Sequence, residues 1–482
     1  MSSLKFNKDF FFGFSEAGFQ FEMGLPGLED PNTDWWQWVH SAENIASGIV
    51  SGDLPENGPG YLGLFREDHE IASKLGASVL RIGIEWSRLF PVSTRDIHVD
   101  VERDETSIIT RVEIRESALN ELITRINKKA LESYRSLLKD WVNRGGKIIL
   151  NLNHFTLPLW LHNPIEVRYR GIDRAPAGWL SEEVIIEFAK YAYVVSHLFS
   201  DLVDSWSTIN EPNVIALMGY LFINSGFPPS IPSMSYAMLA LRNMTIAHAR
   251  AYDILKETTR KPVGAIINFM WIEPLNPERE EEKTIASQLS FFYNHIFIDT
   301  VTSGVSPIVE SSSLRNRLDW IGVNYYTRMI VTGEINKWKP VPGYGYLCQP
   351  RSISKDMRPC SDFGWEMYPE GLEKTLISIY ERYRKPIIIT ENGIADEYDY
   401  LRPRFILEHL ASTWKALSQG VDVKGYLHWS LVDNYEWAKG YSMRFGLVKI
   451  DLETKKRRLR PSALLFKEIS TRKEIPEELQ YI

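Results

Sequence analysis

Apolar and polar residues along this chain recur with two different periods. Short runs rich in β-branched and aromatic residues, at 10–17, 79–86, 147–155, 205–212, 262–269, 318–326, 386–393 and 424–431, predict eight strands. Several, such as KIILNL and KPIIIT, are nearly continuous apolar runs, as expected of parallel strands buried on both faces. Between them, apolar positions repeat every three to four residues over 61–75, 130–143, 181–199, 238–256, 372–384 and 402–419, predicting amphipathic helices. Strand and helix alternate throughout. Eight such repeats indicate an α/β fold, a single (β/α)8 TIM barrel with loop insertions. A doubly wound sheet commonly uses five or six strands.

The insertions depart from this repeat. Residues 91–128 read as a hairpin, alternating in HVDVERDETSIITRVEI, ahead of a helix. Residues 333–371 form a loop rich in Gly, Pro and aromatics, and a loop of that length in a compact barrel is usually functional. Substrate selectivity is expected in these two segments. There is no linker, low-complexity tract or exact internal repeat. Barrels with insertions run past roughly 400 residues as one unit, so 1–482 is read as one catalytic domain.

Charge narrows the partners. A net charge of −7 argues against nucleic acid or an anionic membrane, since both attract basic surfaces. The one basic run, KKRRLR at 455–460, reads as a solvated turn or strand edge. The N-terminus lacks an apolar segment followed by a small-residue cleavage site, and no window of about 18 apolar residues occurs, so a soluble, cytoplasmic protein is expected. Cys348 and Cys360 are too few for a disulfide framework and lack the partners of a zinc site; free thiols or one local bridge both remain open. Asn243 lies in a glycosylation sequon but reads as a structural residue. The 15 Trp residues exceed what a core needs only slightly, yet flat indoles also stack on pyranose faces.

In such a barrel the chemistry sits at the C-terminal ends of the strands, and polar side chains gather there. Arg81 lies in strand two and His154 ends strand three. Asn210 and Glu211 end strand four, Asn324 and Tyr326 strand six, Glu391 and Asn392 strand seven, His428 and Trp429 strand eight. Glu211, in STINEP, and Glu391, in IIITENG, each close an otherwise apolar or neutral run. A lone Glu there could pair with a core Arg; two of them across the barrel axis suit acetal cleavage. One carboxyl then protonates the leaving oxygen while the other stabilises or attacks the oxocarbenium-like carbon.

The neighbours suggest the division of labour. Arg81 near Glu391 would favour its ionised form, with the Tyr326 hydroxyl donating to the same carboxylate, so Glu391 reads as nucleophile. Glu211, beside Asn210, must hold a proton through desolvation and the charge of Glu391, so it reads as acid/base. No HExxH, paired strand-end histidines or phosphate-cradling glycine loop occurs, and no metal or cofactor is implied. The competing class is a catalytically silent sugar-binding barrel.

At these residues the sequence resembles the family 1 glycoside hydrolases over essentially its whole length. The acid/base motif stands as Thr208-Ile209-Asn210-Glu211-Pro212 and the nucleophile motif as Ile389-Thr390-Glu391-Asn392-Gly393, 180 residues apart (391 − 211). The resemblance implies a retaining, exo-acting β-glycosidase. Gln20, His154, Asn210, Trp429, Glu436 and Trp437 match the set that grips glycone hydroxyls, with Asn324 joining them as substrate-binding. Trp365 and Phe445 resemble stacking walls, although core packing suits Trp365 equally. NGPGY, IEWSRLFP, LPLWLHNP, SDFGWEMYPEGL and GYLHWSLVDNYEWAKG resemble the archaeal, heat-loving branch. That branch implies a homo-oligomer, a tetramer, with broad activity on small β-glucosides and β-galactosides, and a cis peptide at Trp429-Ser430.

A 6-phosphoglycoside branch carries Ser at the place of Glu436, with Lys and Tyr where Met443 and Phe445 stand here, so unphosphorylated glycosides or oligosaccharides are expected. One position departs from the pattern: Phe155 stands where the family usually has Trp, removing an indole N–H beside the glycone and leaving β-mannosidase activity as a variant.

Overall fold

The computed structural model describes residues 3–481. Eight parallel strands, β1 (Phe11–Ser15), β2 (Val79–Gly83), β3 (Lys147–Asn153), β4 (Ser205–Asn210), β5 (Val263–Pro274), β6 (Trp320–Thr332), β7 (Ile387–Asn392) and β8 (Val423–His428), pair in chain order, and β8 pairs back to β1 to close the barrel. The (β/α)8 reading is correct. All eight expected strands are present, six of them ending within three residues of the expected limits.

The exceptions are β5 and β6. Beyond the barrel mouth they continue as a two-stranded ribbon, Arg328 opposite Trp271 through Val331 opposite Pro274, after a register break at Tyr325–Arg328. Charged and bulky residues in this stretch obscure any strand period, and the pairing is held by backbone bonds that leave no apolar signature.

An outer layer of helices covers the barrel: α1 (Tyr61–Lys74), α2 (Lys128–Asn143), α3 (Glu183–Phe199), α4 (Met234–Thr259), α5 (280–303), α6 (Pro369–Tyr383), α7 (Arg402–Ser418) and α8 (Pro461–Arg472). The expected six fall on α1–α4, α6 and α7. Helix α5 runs from Glu280–Ser290 through a π-helical turn, Phe291–His295, into Ile296–Ser303; neither it nor α8 was anticipated. Local chemistry sets several ends. Asn127 caps α2 by accepting from Lys129 and Ala130 N–H, and Pro stands first in α6 and α8 and second in α7, where a missing N–H costs nothing.

Inside the barrel, inward side chains form a floor of Val79, Ile149, Ile266, Trp320, Ile388 and Leu427. Above it the inward positions turn polar: Arg81, Asn151, Ser207, Asn268, Asn324 and Thr390 are all buried or nearly so. The apolar floor excludes water from below, and the functional layer sits on top of it.

Both insertions fold as read at their core. Asp100–Arg103 pairs antiparallel with Ile109–Glu113, followed by the helix Glu116–Thr124. The 333–371 loop lies against the β5–β6 ribbon and is pinned by buried Arg328, which bonds Glu366 (2.7 Å), Glu273 (3.1 Å) and Asp356. Cys348 and Cys360 are buried free thiols, so the local bridge is not formed. Asn243 is buried in α4 and donates to Trp179 O, a structural role. No helix among the described residues is long and apolar enough to cross a membrane.

The basic run needs correction. It is a strand edge, with Arg457–Leu459 pairing Val448–Ile450, but it is solvated only in part. Arg457 forms a two-pronged bridge to buried Asp68 (2.9 and 2.8 Å) and Arg460 another to Asp433 (both 3.0 Å), ties made across 389 and 27 residues. Truncating one partner strands a buried charge. Asp68→Ala is expected to lower stability by about 3–5 kcal/mol. Asp68→Leu combined with Arg457→Met should recover most of that loss. Thermal melting of the single and double variants checks both outcomes.

Candidate active site

Each functional side chain is delivered by a strand end, and two strands do so by breaking their own alternation. On β4, Ser207 faces inward, donating to Asn151, while Thr208 faces α4 and bonds His248. Strict alternation would aim Asn210 outward. The β4–β5 register slips between Ser207 and Asn210, and Asn210 turns in to accept from Arg81 (2.8 Å). On β7 the register against β8 slips between Ile389 and Asn392, so that Thr390 and Glu391 both reach the interior. β-Bulges re-aim side chains in this way beside active sites.

Backbone strain marks the same places. Glu211 is left-handed (φ 49°, ψ 58°) in front of Pro212, as are Phe155 (φ 72°) and Trp437 (φ 45°). Each such residue costs of order 1–3 kcal/mol and persists because the surroundings over-determine it. For Glu211, its N–H donates to Ile266 O (2.8 Å) while Pro212 begins the helix Pro212–Tyr220. Gly393 is required after Glu391-Asn392, because a Cβ there would fall 1.8 Å from Trp429 O. The Trp429-Ser430 peptide is cis, as expected.

The two carboxyls sit in one buried layer with different neighbours. Glu391 accepts from Arg81 Nη1 (2.5 Å) and from Tyr326 OH (2.7 Å). Glu211 accepts at Oε1 from two amides, Asn324 Nδ2 (2.7 Å) and Asn268 Nδ2 (3.0 Å), and from no cation. Burial and then the charge of Glu391 push Glu211 up to about 8. Burial also raises Glu391, but Arg81 and Tyr326 oppose it. The pair titrates together, and the cation fixes the order: the proton stays on Glu211 while Glu391 is ionised. His154 is held neutral by burial and by Arg81, whose Nη2 lies 3.3 Å from its Nδ1.

The remaining expected residues line the same mouth. His154 lies parallel to both Trp429 and Trp437, ring centres 6.0 and 5.9 Å away. Gln20 donates to Asn434 (3.0 Å) and Glu436 (3.4 Å), while its Oε1 is buried with no partner among the described residues, an acceptor positioned for a hydroxyl. Burial, then the charges of Glu391 and Glu211, raise Glu436 to about 8. Trp365 is half-buried, stacked on Phe363 (4.1 Å) and beside Tyr326 (5.3 Å), and buried Phe445 meets Tyr326 edge-on at 6.1 Å. His428, though it ends β8, points away and bonds nothing in the site. Asn324, expected among the substrate-binding residues, is engaged with its neighbours in the site. Its amide donates to Glu211 and to Asn210 (3.1 Å) and also favours the charged form of Glu391, while its oxygen accepts from Thr390 (2.7 Å), so it ties the two carboxyls together.

The model of glycosyl hydrolase family 1 matches residues 122–475. A β-galactosidase of Sulfolobus acidocaldarius is 47% identical, covering 99% of this chain and 98% of its own. Among solved structures, the β-glycosidase of Thermosphaera aggregans superposes with a TM-score of 0.96 at 52% identity, covering 99% of both chains. A β-glucosidase mutant derived from a hyperthermophilic tetrameric structure gives 0.94 at 52%, covering 99% of this chain and 98% of that one. The chain belongs to glycosyl hydrolase family 1.

Two side chains of this family 1 site escaped the sequence reading. Asn268, the one amide in the apolar run of β5, touches Glu211; that isolated polarity in AIINF was the available signal. Tyr293 holds it, donating to Asn268 Oδ1 (3.0 Å) from the π-helical turn, a device common at functional sites that carries no sequence period. Because the Asn268 amide stabilises the charged form of Glu211, Asn268→Ala should raise the pKa of Glu211 further. The alkaline limb of kcat/KM is expected to move to higher pH, with a modest loss of rate. A limb that stays put or moves down would contradict this placement.

Proposed function

We propose that this family 1 glycosidase hydrolyses unphosphorylated β-glucosides and β-galactosides, acting from the non-reducing end by double displacement, with Glu391 as nucleophile and Glu211 as acid/base. The observation that carries the assignment is the asymmetry of partners: a guanidinium and a phenol on Glu391, only amides on Glu211. Glu391, ionised, attacks the anomeric carbon while protonated Glu211 gives its proton to the leaving oxygen. The glycosyl ester neutralises Glu391 and removes the charge that raises Glu211. Glu211 then loses its preference for the proton and takes one from the incoming water.

The sugar class is supported by the named activities of the relatives and by the Gln20–Glu436–Trp437 corner, which gives the glycone polar and stacking contacts together. A 6-phosphoglycoside fits poorly for a reason that the burial of Glu436 sharpens. Near neutral pH Glu436 holds a proton, so exclusion rests on the ionised Glu391 and on the absence of a Lys and Tyr at Met443 and Phe445, more than on repulsion at Glu436 itself. A cytoplasmic homo-oligomer, a tetramer as in the parent of one solved relative, completes the proposal.

Three measurements test it. Glu391→Gly should lose activity by about three orders of magnitude or more, and azide should restore turnover with an α-glycosyl azide product; a β-azide would reverse the two roles. Since Glu211 must be protonated to act, kcat/KM should fall as pH rises through about 8, and Glu391→Gln should shift the Glu211 titration to lower pH by removing the neighbouring charge. On a panel of aryl β-glycosides, glucoside and galactoside should lead. Preferred turnover of the mannoside, or comparable turnover of a 6-phosphoglucoside, would overturn the substrate assignment.

A further inference from the structure

Behind the glycone side of the mouth lies a second group of buried acids that the chemistry above does not use. Glu85 follows β2 and is 3% exposed. Its Oε1 accepts from Phe19 N–H (3.0 Å) and its Oε2 from Thr156 Oγ1 (2.7 Å), joining segments 66 and 71 residues away. Both segments carry glycone-facing side chains. Phe19 lies in the short helix Gly18–Phe21, directly before Gln20, whose amide reaches Asn434 and Glu436. Thr156 closes the left-handed turn after β3: its N–H donates to His154 O (2.9 Å), and its carbonyl accepts from Asn153 Nδ2 (2.7 Å).

The surroundings are built for this bridge. A Cβ on Gly18 would lie 2.5 Å from Glu85 Cγ and Oε1 and 2.8 Å from Glu22 Oε1, so glycine opens the space in which the carboxyls meet the backbone. The Glu85 N–H donates to Tyr134 OH (3.1 Å), which donates to Glu22 Oε1 (2.7 Å). The one guanidinium bonding this group, Arg88, is taken by Glu22 (2.8 Å), and Asp30 accepts from Ser87 (2.7 Å). Glu85 therefore has hydrogen-bond partners but no counter-ion of its own.

We propose that Glu85 is a positioning residue for the glycone pocket, a carboxyl brace that sets the spacing between the Gln20 edge and the His154 edge. It touches no substrate; it acts by locking the backbone from which those two side chains project. This rests on the reading of Gln20 and His154 as groups that bind glycone hydroxyls. A hydroxyl held between two rigid edges loses its hydrogen bonds when either edge drifts, and misplacement of about 1 Å costs up to about 100-fold in rate. Burial, followed by the charge of Glu22, raises Glu85 to about 8. A glutamine at this position is therefore the conservative replacement, neutral and of the same shape.

The experiment compares an aryl β-glucoside with its 3-deoxy and 4-deoxy analogues on wild type, Glu85→Ala, Glu85→Gln, Thr156→Val and Gln20→Ala. Glu85→Ala should raise KM and lower kcat/KM on the parent glucoside by about 10- to 100-fold. It should also shrink the preference for the parent over the deoxy analogues, while Glu85→Gln keeps most of that preference. Combining Glu85→Ala with Gln20→Ala should cost less than the two single losses multiplied, because the brace acts through Gln20. A purely structural role would lower the melting temperature and leave the hydroxyl preference intact; that result in Glu85→Ala overturns the proposal. If Glu85→Ala does not fold, Thr156→Val removes one arm alone, and an unchanged preference there overturns it equally. A wild type that shows no preference for the parent sugar would instead refute the glycone reading of Gln20 and His154, and the brace with it.

Discussion

A guanidinium and a carboxylate share the dry centre of this barrel, and the remaining charges arrange themselves around them. Arg81 is fully buried, and a buried Arg is tolerable only when paired and hydrogen-bonded. Glu391 supplies the charge, and Asn210 takes the second arm of the fork. That one cation is consumed by one acid. Glu211 and Glu436 share the same pocket without a counter-ion, so desolvation, reinforced by their ionised neighbour, keeps protons on both. Three chemically identical side chains thus differ in their hold on a proton, according to which of them Arg81 reaches, and the proposed division into nucleophile, acid and neutral hydrogen-bonding group rests on that difference.

The barrel makes this selection through register. Strict alternation would point every second residue of a strand inward and would leave Asn210 and Glu391 on the wrong face. The slips on β4 and β7 insert the needed half-step, and the left-handed backbone at Glu211 completes the turn toward the axis. Strain is stored at the three residues whose aim matters most: Phe155, Glu211 and Trp437. The floor of Val79, Ile149, Ile266, Trp320, Ile388 and Leu427 packs the strands together beneath them.

This division explains what could be read in the sequence and what could not. The eight strands and both acidic residues were legible because each is a polar break at the end of an apolar run, a signal contained within ten residues. The bulges were not, since a slipped register leaves composition untouched. The β5–β6 ribbon was missed because backbone pairing sustains it where the side-chain pattern stops. The π-helical turn hid Tyr293 because it breaks the helical period in α5. The basic run was misjudged for a related reason: Asp68 and Arg457 stand 389 residues apart, and nothing local announces that they meet.

The uncompensated acids also add a vulnerability on the alkaline side of neutrality. Glu16, Glu85, Glu211 and Glu436 are all raised by burial from an ordinary value of 4.5 to about 8. A carboxyl whose folded pKa lies above its unfolded one binds its proton more tightly in the native state. Its contribution to stability is complete below the unfolded pKa, shrinks between about 4.5 and 8, and reverses nothing further once both states are ionised. Acid alone therefore leaves these four groups content, whereas alkali forces charge into sites that form no ion pair among the described residues. Glu16 is buried at both oxygens, and Asp68 beside it adds to the effect of burial, which the Tyr61 hydroxyl and Arg457 oppose only in part. The same scarcity of positive charge that holds the proton on Glu211 near neutral pH makes its loss costly to the folded barrel while Glu391 stays charged.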